Sequence, residues 1–144
     1  MTRNVRRKTI QYGLCGLEYV FLVNAPVVTV GKGNEKEEFV DLPPKEIDRM
    51  IAVEIIRQKV PLRGKEVLFL RKALKMNRNR WAEKLGVTAS GIFRWEDASD
   101  KRMSRINEAA IRMLCAEELH IRLEPKWSKL TADGVLPGRL EVAA

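Results

Sequence analysis

Apolar residues recur at helical spacing within residues 63–97, in three short runs separated by polar breaks. In the first run, Val67, Leu70 and Leu74 lie at positions i, i+3 and i+7, so they share one face of a helix. The two later runs show comparable spacing over shorter distances. The pattern predicts three short helices that are joined by tight turns.

Polar residues and one glycine mark where the second and third helices begin and end. Asn77 suits the N-cap of the second helix, and Thr88 suits the N-cap of the third. Gly86 lies at the end of the second helix, where glycine readily takes the left-handed conformation that starts a turn. The apolar positions predict the buried faces: Trp81, Ala82 and Leu85 on the second helix, and Ile92 and Trp95 on the third.

The third helix has an outward face that contains Ala89, Ser90, Phe93 and Arg94. Basic side chains lie on the rim of the same segment. Helices joined by a tight turn in this way are the layout of a helix-turn-helix module, which places one helix in the major groove of DNA. We therefore expect residues 63–97 to read duplex DNA.

Residues 10–42 have the composition of β-strands. Residues 18–24 and 27–30 are rich in β-branched and aromatic side chains, and residues 39–42 form a shorter apolar piece. Turn-forming residues at 24–26 and 31–34 separate these segments. We expect a small antiparallel sheet of two or three strands that must pack on a neighbouring element.

The neighbouring element is predicted to be a helix that begins at Pro43 and Pro44, since proline is tolerated in the first turn. Its apolar face is formed by Ile47, Met50, Ile51 and Ile55. Residues 60–64 then break the helix. Another helix is predicted behind Ser104, an N-cap residue, and part of its apolar face is expected to close the core while part forms a dimer seam. That face consists of Ile106, Ala109, Ala110, Met113, Leu114 and Leu119.

These elements predict an α+β protein with two folded units. Residues 1–62 are expected to form a small antiparallel β-sheet plus a helix, a unit for partner binding or dimerisation, and residues 1–9 are expected to be poorly ordered. Residues 63–124 are expected to form an all-α helix-turn-helix domain. Residues 125–144 have no lasting periodicity and are expected to form a loose tail.

Positive charge is concentrated in the predicted DNA-reading segment. The chain has a net charge of +8, and residues 61–104 carry 11 basic and 5 acidic side chains, a net charge of +6. Residues 1–60 carry 10 and 8, and residues 105–144 carry 6 and 6. Concentrated positive charge attracts phosphates through counterion release, which favours a nucleic-acid partner, although basic helices also occur as solvated surfaces.

The chain has few cysteine and histidine residues, the types that most often bind metals or take part in catalysis. Cys15, Cys115 and His120 include no close pair and fall short of the usual four zinc ligands, so no metal site is predicted. Two cysteines give no disulfide framework, and both are expected to be buried thiols in a reducing cytoplasm. We predict no secretory signal, no membrane span, no cofactor and no catalytic site.

The strings LRKAL and WAEKLGVTASGIFRWE resemble the XRE family, the Cro and lambda-repressor-like helix-turn-helix proteins. The resemblance covers about residues 63–115 and implies a lambda-repressor-like fold and sequence-specific binding of double-stranded DNA. The chain departs from the family pattern at Arg78, where glutamine is frequent, and at Ala98, where glycine is frequent. The resemblance also implies that Arg71 and Glu96 pair across the fold.

The resemblance and the charge distribution together suggest a set of DNA-binding residues: Arg71, Lys75, Asn77, Arg78, Arg80, Thr88, Ala89, Ser90, Phe93, Arg94, Lys101 and Arg102. Arg94 is the foremost candidate for base readout, because a guanidinium can donate two hydrogen bonds to guanine. A plain phosphate contact or a solvated side chain is its alternative. Arg78 and Arg80 lie at a helix N-terminus, which favours phosphate.

The order of parts along the chain resembles the MqsA (YgiT-type) antitoxins. The matching strings are YGLCGLEYVFLVN and FVDLPPKEIDRMIA ahead of the repressor-like segment. Those proteins hold zinc with two CxxC pairs, whereas this chain has only Cys15 in that region, so the metal is not carried over. The resemblance implies an antitoxin that binds a cognate toxin and represses its own operon. Because one recognition helix offers few base contacts, we expect a homodimer, whose two-fold axis requires a palindromic operator.

A second interpretation treats the helix-turn-helix fold as a protein-interaction module without DNA binding. The charge excess in residues 61–104 argues against it, because neutral or acidic surroundings would suit that role better. The sequence does not specify the operator, the toxin or an effector, nor the role of residues 1–62.

Overall fold

The computed structural model describes residues 5–144, which form a mixed α+β fold with four β-strands and six α-helices. The strands are β1 (Val5–Gln11), β2 (Val20–Val30), β3 (Glu37–Val40) and β4 (Leu140–Ala143). The helices are α1 (Pro44–Arg57), α2 (Gly64–Ala73), α3 (Arg78–Leu85), α4 (Ala89–Asp97), α5 (Arg105–Glu118) and α6 (Trp127–Leu130). The mixed α+β class agrees with the sequence-based prediction.

β2 is the central strand of the sheet. It pairs antiparallel with β1 on one side, and on the other side it pairs antiparallel with β3 and parallel with β4. Val20, Leu22, Ala25 and Val27 of β2 are buried and belong to the hydrophobic core. The antiparallel pairs agree with the prediction, whereas the parallel pair was not predicted.

The turn predicted around Asn24 is wrong, because β2 continues through it without reversing direction. Lys8 pairs with Ala25 and Ile10 pairs with Leu22, so two residues of β2 stand opposite one residue of β1. Asn24 itself has a φ of 55° in the left-handed region. The chain therefore forms a β-bulge here, which twists the strand while Leu22 and Ala25 both stay in the core.

Both ends of the described chain are more structured than expected. Residues 5–9, predicted to be poorly ordered, belong to β1; residues 1–4 of that prediction lie outside the described part of the chain. The tail predicted to be loose at 125–144 contains α6 and β4 instead. Leu140 and Val142 are buried because they alternate inward from a strand that lies beside β2.

α1 has the apolar face that the spacing predicted. Ile47, Ile51 and Ile55 are buried, and Met50 packs at the edge of the core. Pro43 and Pro44 occupy the N-cap and first helical positions. Through this face α1 packs against β4, α2 and α5, so it connects the sheet to the later helices.

The apolar face predicted for α5 divides into two. Ala109, Leu114 and Leu119 are buried. Ile106 and Met113 are 73% and 52% exposed, and Ala110 between them is exposed as well. α5 therefore presents an outward apolar stripe, defined here as Ile106, Ala110 and Met113.

One hydrophobic cluster contains side chains from both predicted units, including Leu22 and Ile55 from the first and Trp81 and Ile92 from the second. Leu62 lies at the predicted boundary and is itself buried. Its carbonyl accepts the backbone N–H of Met103 at 2.8 Å. The division into domains stays a prediction, and the packing is continuous across the proposed boundary.

Candidate functional site

The segment between α3 and α4 is built by the residues that the sequence marked as caps. The Asn77 side chain accepts the backbone N–H of Arg80 at 2.9 Å, and Thr88 Oγ1 accepts that of Gly91 at 3.0 Å. Gly86 has a φ of 71°, a conformation that glycine takes at little cost. These local interactions begin and end α3, begin α4 and fix a short turn between the two helices.

α4 is held against α2 by an unusually close backbone approach. A Cβ added at Gly64, the first residue of α2, would lie 2.6 Å from the carbonyl oxygen of Ala98 and closer still to that of Trp95. Below α4, Trp81 and Ile92 are completely buried. The position of α4 is thus set from both sides, and the role of Gly64 was missed because its sequence context resembles a linker.

The outward face of α4 matches the predicted one in its main features. Ser90, Phe93 and Arg94 are exposed, as is Thr88 at the helix start, and Ala89 is partly exposed. Phe93 is 51% exposed, which is high for a phenylalanine side chain next to a core. Arg94 Nε lies 3.4 Å from the carbonyl oxygen of Ser90, so the side chain lies along its own helix.

Glu96 of α4 is buried and accepts hydrogen bonds from two arginines. Arg71 donates from Nε and Nη2 to the carboxylate at 2.6 and 3.0 Å, and from Nη1 to the carbonyl of Met76 at 3.1 Å. The pairing of Arg71 with Glu96 is therefore confirmed. The phosphate contact predicted for Arg71 does not fit this geometry, because the side chain is only 10% exposed and all three nitrogens donate within the protein.

Arg78 is the second arginine on Glu96, and it also stacks on Phe93. Its Nε donates to Glu96 Oε1 at 2.9 Å, and its guanidinium carbon lies 5.1 Å from the centre of the Phe93 ring. The Arg78 side chain is 41% exposed. The two residues form one continuous exposed surface at the junction of α3 and α4, which we call the Arg78–Phe93 stack.

Other predicted cations of the same segment are exposed as well. Arg80, Lys75 and Lys101 are exposed, and Asn77, the N-cap residue of α3, is exposed as well. Lys101 and Arg94 line one groove of about 290 Å³ at the carboxyl end of α4. The exposed cations and the α4 face together form a surface that could accept an extended anion.

Arg102 differs from the prediction of a flanking phosphate contact. Its Nη1 donates to the carbonyl of Gly134 at 3.0 Å, and its Nη2 donates to the carbonyl of Ala132. Glu108 lies 3.7 Å away from the same guanidinium. Arg102 therefore fastens the C-terminal segment to the α4–α5 connection, a role that the sequence could not reveal because the partners are carbonyls of a segment without recognisable motifs.

Two buried carboxylates were missed in the sequence. Glu66 accepts Arg63 Nε at 2.9 Å, Arg63 Nη2 at 2.7 Å and the Tyr19 hydroxyl at 3.0 Å. Burial and the adjacent Glu66 carboxylate raise the pKa of Tyr19, and the hydrogen bond to Glu66 raises the pKa of Arg63. This cluster ties the start of β2 to the start of α2.

The second buried carboxylate, Glu108, lies at the base of α5. It accepts the backbone N–H of Leu62 at 2.9 Å and that of Ala132 at 2.8 Å. Arg112 lies 3.7 Å from it and is completely buried, and this burial lowers the pKa of Arg112. An acidic residue in a first helical turn signals a cap or a dipole partner, but sequence alone does not show that it is buried.

The two cysteines, both expected to be buried, differ in exposure because Cys15 lies at the edge of the core. Cys15 is half-buried and Cys115 is buried, and burial raises the pKa of the Cys115 thiol to about 12. In residues 5–144 no group of three or more His, Cys, Asp or Glu side chains is arranged to hold a metal ion. None of the helices in that range combines the length and apolar character needed to cross a membrane.

Comparisons of the chain with models of protein families, with curated proteins and with solved structures found no match. The arguments for a function therefore depend on the residues themselves. Those arguments centre on the exposed face of α4, its fixed position and the cations around it.

Proposed function

We propose that this chain is a DNA-binding transcription regulator that inserts α4 into the major groove as the recognition helix of a helix-turn-helix unit. It acts as a binding protein of the cytoplasm, without a catalytic site. In this proposal residues 63–115 are the XRE-like segment, with α3 across the phosphate backbone and α4 against base edges. We also propose that the protein is an antitoxin that represses its own operon.

One observation carries the DNA-binding part of the proposal: α4 is rigidly held from beneath while its opposite face stays exposed and cationic at its border. Buried Ile92 and Trp81 hold it from below, and Ser90, Phe93 and Arg94 face outward. A site that reads bases needs side chains presented from a rigid element, because their hydrogen bonds are directional. The net charge of +6 over residues 61–104 supplies the attraction to phosphates.

The homodimer is supported by the apolar stripe of α5. Ile106, Ala110 and Met113 are spaced by four and three residues, so they lie on one face of the helix, and that face is exposed. A two-fold dimer across this stripe would present two α4 helices to two half-sites of a palindrome. Two half-sites would also offset the small number of base contacts that one α4 offers.

The antitoxin role is supported by the resemblance in the order of parts and by the outer face of the sheet. Val5 and Phe39 both stand opposite Val28, so the three side chains share one side of the sheet. Val5 and Phe39 are 50% and 51% exposed, as is Val30 at 56%. An apolar sheet face of this kind suits a protein partner, and the cognate toxin is the partner proposed for it.

The test of DNA binding is a selection of duplexes from a randomised library, followed by mobility-shift titration of the enriched sequence. We expect the chain to enrich a palindrome and Arg94→Ala to weaken binding by about 1–3 kcal/mol, the usual contribution of a base contact. Arg57→Ala is the matched control, since Arg57 is an exposed arginine in the last turn of α1 and outside α3 and α4. It should bind like the unmodified protein.

Two outcomes would contradict parts of the proposal. Absence of any enriched duplex, even at low salt, would exclude the regulator and favour a protein-interaction module. The antitoxin role predicts that the small protein encoded by the neighbouring gene co-purifies with this chain. If it does not, the antitoxin role is excluded and the proposal of DNA binding stands.

A further inference from the structure

Within the Arg78–Phe93 stack, contacts with the protein hold the exposed Arg78 side chain in one position. Arg78 is fixed at two points, by the 2.9 Å bond from Nε to Glu96 and by the Phe93 ring 5.1 Å from its guanidinium carbon. Glu96 cannot move to follow Arg78, because Arg71 holds it with two further bonds. The plane of the Arg78 guanidinium is therefore set before any ligand arrives.

The outer edge of that guanidinium is unused. Within residues 5–144 neither Nη1 nor Nη2 of Arg78 donates to a protein acceptor, although Nε is bonded to Glu96. Two parallel N–H donors on a fixed plane match an acceptor with two adjacent lone-pair sites. Guanine presents such a pair, O6 and N7, in the major groove.

Other base edges fit this donor pair less well. Adenine offers N7 but places an amino donor beside it, and cytosine presents an amino donor as well. A guanidinium can only donate hydrogen bonds, so both edges leave one of its N–H groups opposed to another donor. Thymine offers only one acceptor, O4, beside its methyl group. Among the four base edges in the groove, the free edge of Arg78 therefore selects guanine.

Phe93 adds an apolar contact next to that donor pair. Its ring is 51% exposed, and it has no hydrogen-bonding atom with which to read a base. The apolar feature of the major groove is the C5-methyl group of thymine. Because ring and guanidinium are in contact, the bases that they meet must be neighbours.

We propose that Arg78 and Phe93 act as one reading unit for a guanine and a directly adjacent thymine in the major groove. Arg78 donates two hydrogen bonds to guanine O6 and N7, and Phe93 packs on the thymine methyl. This inference rests on the proposed function and extends it by assigning the base step. It gives the arginine at this position, where the resembling family frequently has glutamine, a role in specificity.

The first test compares duplexes enriched by the unmodified protein with those enriched by Arg78→Lys. Lysine keeps the positive charge but replaces the fixed planar fork with a flexible ammonium group, so it keeps the phosphate attraction and weakens the oriented base readout. We expect the unmodified protein to enrich a guanine–thymine neighbour pair in each half-site, and Arg78→Lys to show a clearly weaker preference for that pair. On the enriched duplex the loss in affinity should be about tenfold.

The second test changes single atoms of the DNA. Replacing the adjacent thymine by uracil removes only the methyl group and should weaken the unmodified protein about threefold, while Phe93→Ala should not distinguish the two duplexes. Replacing the guanine by 7-deazaguanine removes the N7 acceptor and should weaken binding by the unmodified protein more than binding by Arg78→Lys. Circular dichroism of both variants checks that they remain folded.

The outcomes separate the inference from the proposed function. If no duplex is enriched at all, the proposed function fails and the inference falls with it. A palindrome that lacks the adjacent guanine and thymine would overturn the inference. So would an Arg78→Lys variant that binds all duplexes more weakly by the same factor. In either case Arg78 is a phosphate contact, and the proposal of DNA binding stands. If replacing thymine by uracil weakens Phe93→Ala as much as it weakens the unmodified protein, the role of Phe93 is overturned.

Discussion

Tyr19 donates its hydroxyl to the buried carboxylate of Glu66 at 3.0 Å, which joins the beginning of β2 to the beginning of α2. The same carboxylate holds the Arg63 guanidinium at 2.7 and 2.9 Å. A hydrogen bond to a buried charge stabilises the fold because the charge has left water. The phenol therefore adds a polar link between the sheet and the helical segment, which also share one hydrophobic cluster.

Removing that phenol should destabilise the protein. We expect Tyr19→Phe to lower the free energy of unfolding by about 1–3 kcal/mol, because Glu66 loses a donor that water cannot replace. Urea unfolding, followed by circular dichroism, measures it. Tyr12→Phe is the matched control, since Tyr12 is also buried but its hydroxyl makes no hydrogen bond within residues 5–144. Equal losses in both variants would contradict the coupling.

The contact between α2 and α4 predicts a severe effect at Gly64. A Cβ there overlaps the backbone carbonyls of Trp95 and Ala98, which cannot rotate away. We expect Gly64→Ala to cost about 1–3 kcal/mol or more through overpacking, and to displace α4 enough to weaken DNA binding. Gly138→Ala is the control, because nothing lies within 4 Å of its added Cβ. A thermal midpoint equal to that of the unmodified protein would exclude the close approach.

Arg80 should act through charge rather than base identity. It is exposed in the first turn of α3, where the proposed function places a phosphate. We expect Arg80→Ala to weaken binding to all duplexes alike and to make the plot of log affinity against log salt shallower by about 1. Fluorescence anisotropy over a range of salt concentrations measures the slope. A change in sequence preference would instead place Arg80 among the base contacts.

The α5 stripe predicts the oligomeric state. Met113→Glu places a charge in the middle of the proposed seam, and we expect it to convert a dimer into a monomer and to lower DNA affinity. Sedimentation velocity measures the assembly. Val135→Glu is the control, since Val135 is 90% exposed and lies outside α5. Sedimentation of the unmodified protein as a monomer at concentrations that bind DNA would refute the seam.

Alkaline pH should destabilise the fold partly through Cys115. Burial raises the pKa of this thiol from 9.0 to about 12. The unfolded thiol therefore ionises first, so stability is complete below about pH 9 and falls as the pH rises towards 12, by up to about 1.4 kcal/mol per pH unit. Cys115→Ala should remove this part of the slope in urea titrations at pH 8–11. An unchanged slope would show that other groups, such as Tyr19, dominate.

The helical elements were predictable because their signals are local. Asn77, Gly86 and Thr88 each act on a backbone group within three or four residues, and the structure shows each in its expected cap. The pairing of Arg71 with Glu96 was available only through the family resemblance. Neither inference depended on how distant segments meet.

The missed features all depend on distant contacts. Nothing near Leu140 shows that its strand pairs with Val20, and nothing near Arg102 shows that it meets Ala132. The bulge at Asn24 resembled a turn because the same residue type favours both. Buried Glu66 resembled an ordinary first-turn acid, since its burial comes from Tyr19 at a remote position.

The strand at Leu140–Ala143 lies beside Val20–Val23 although almost the whole chain separates them. During synthesis the early strands emerge long before their last neighbour exists. Throughout that interval the backbone amides and carbonyls of Val20–Val23, on the margin of β2 that β4 later covers, have no final partner, a situation that invites pairing with other chains. Formation of the sheet is therefore completed only after β4 has been synthesised, and a product that terminates before β4 should be a ready substrate for chaperones and proteases.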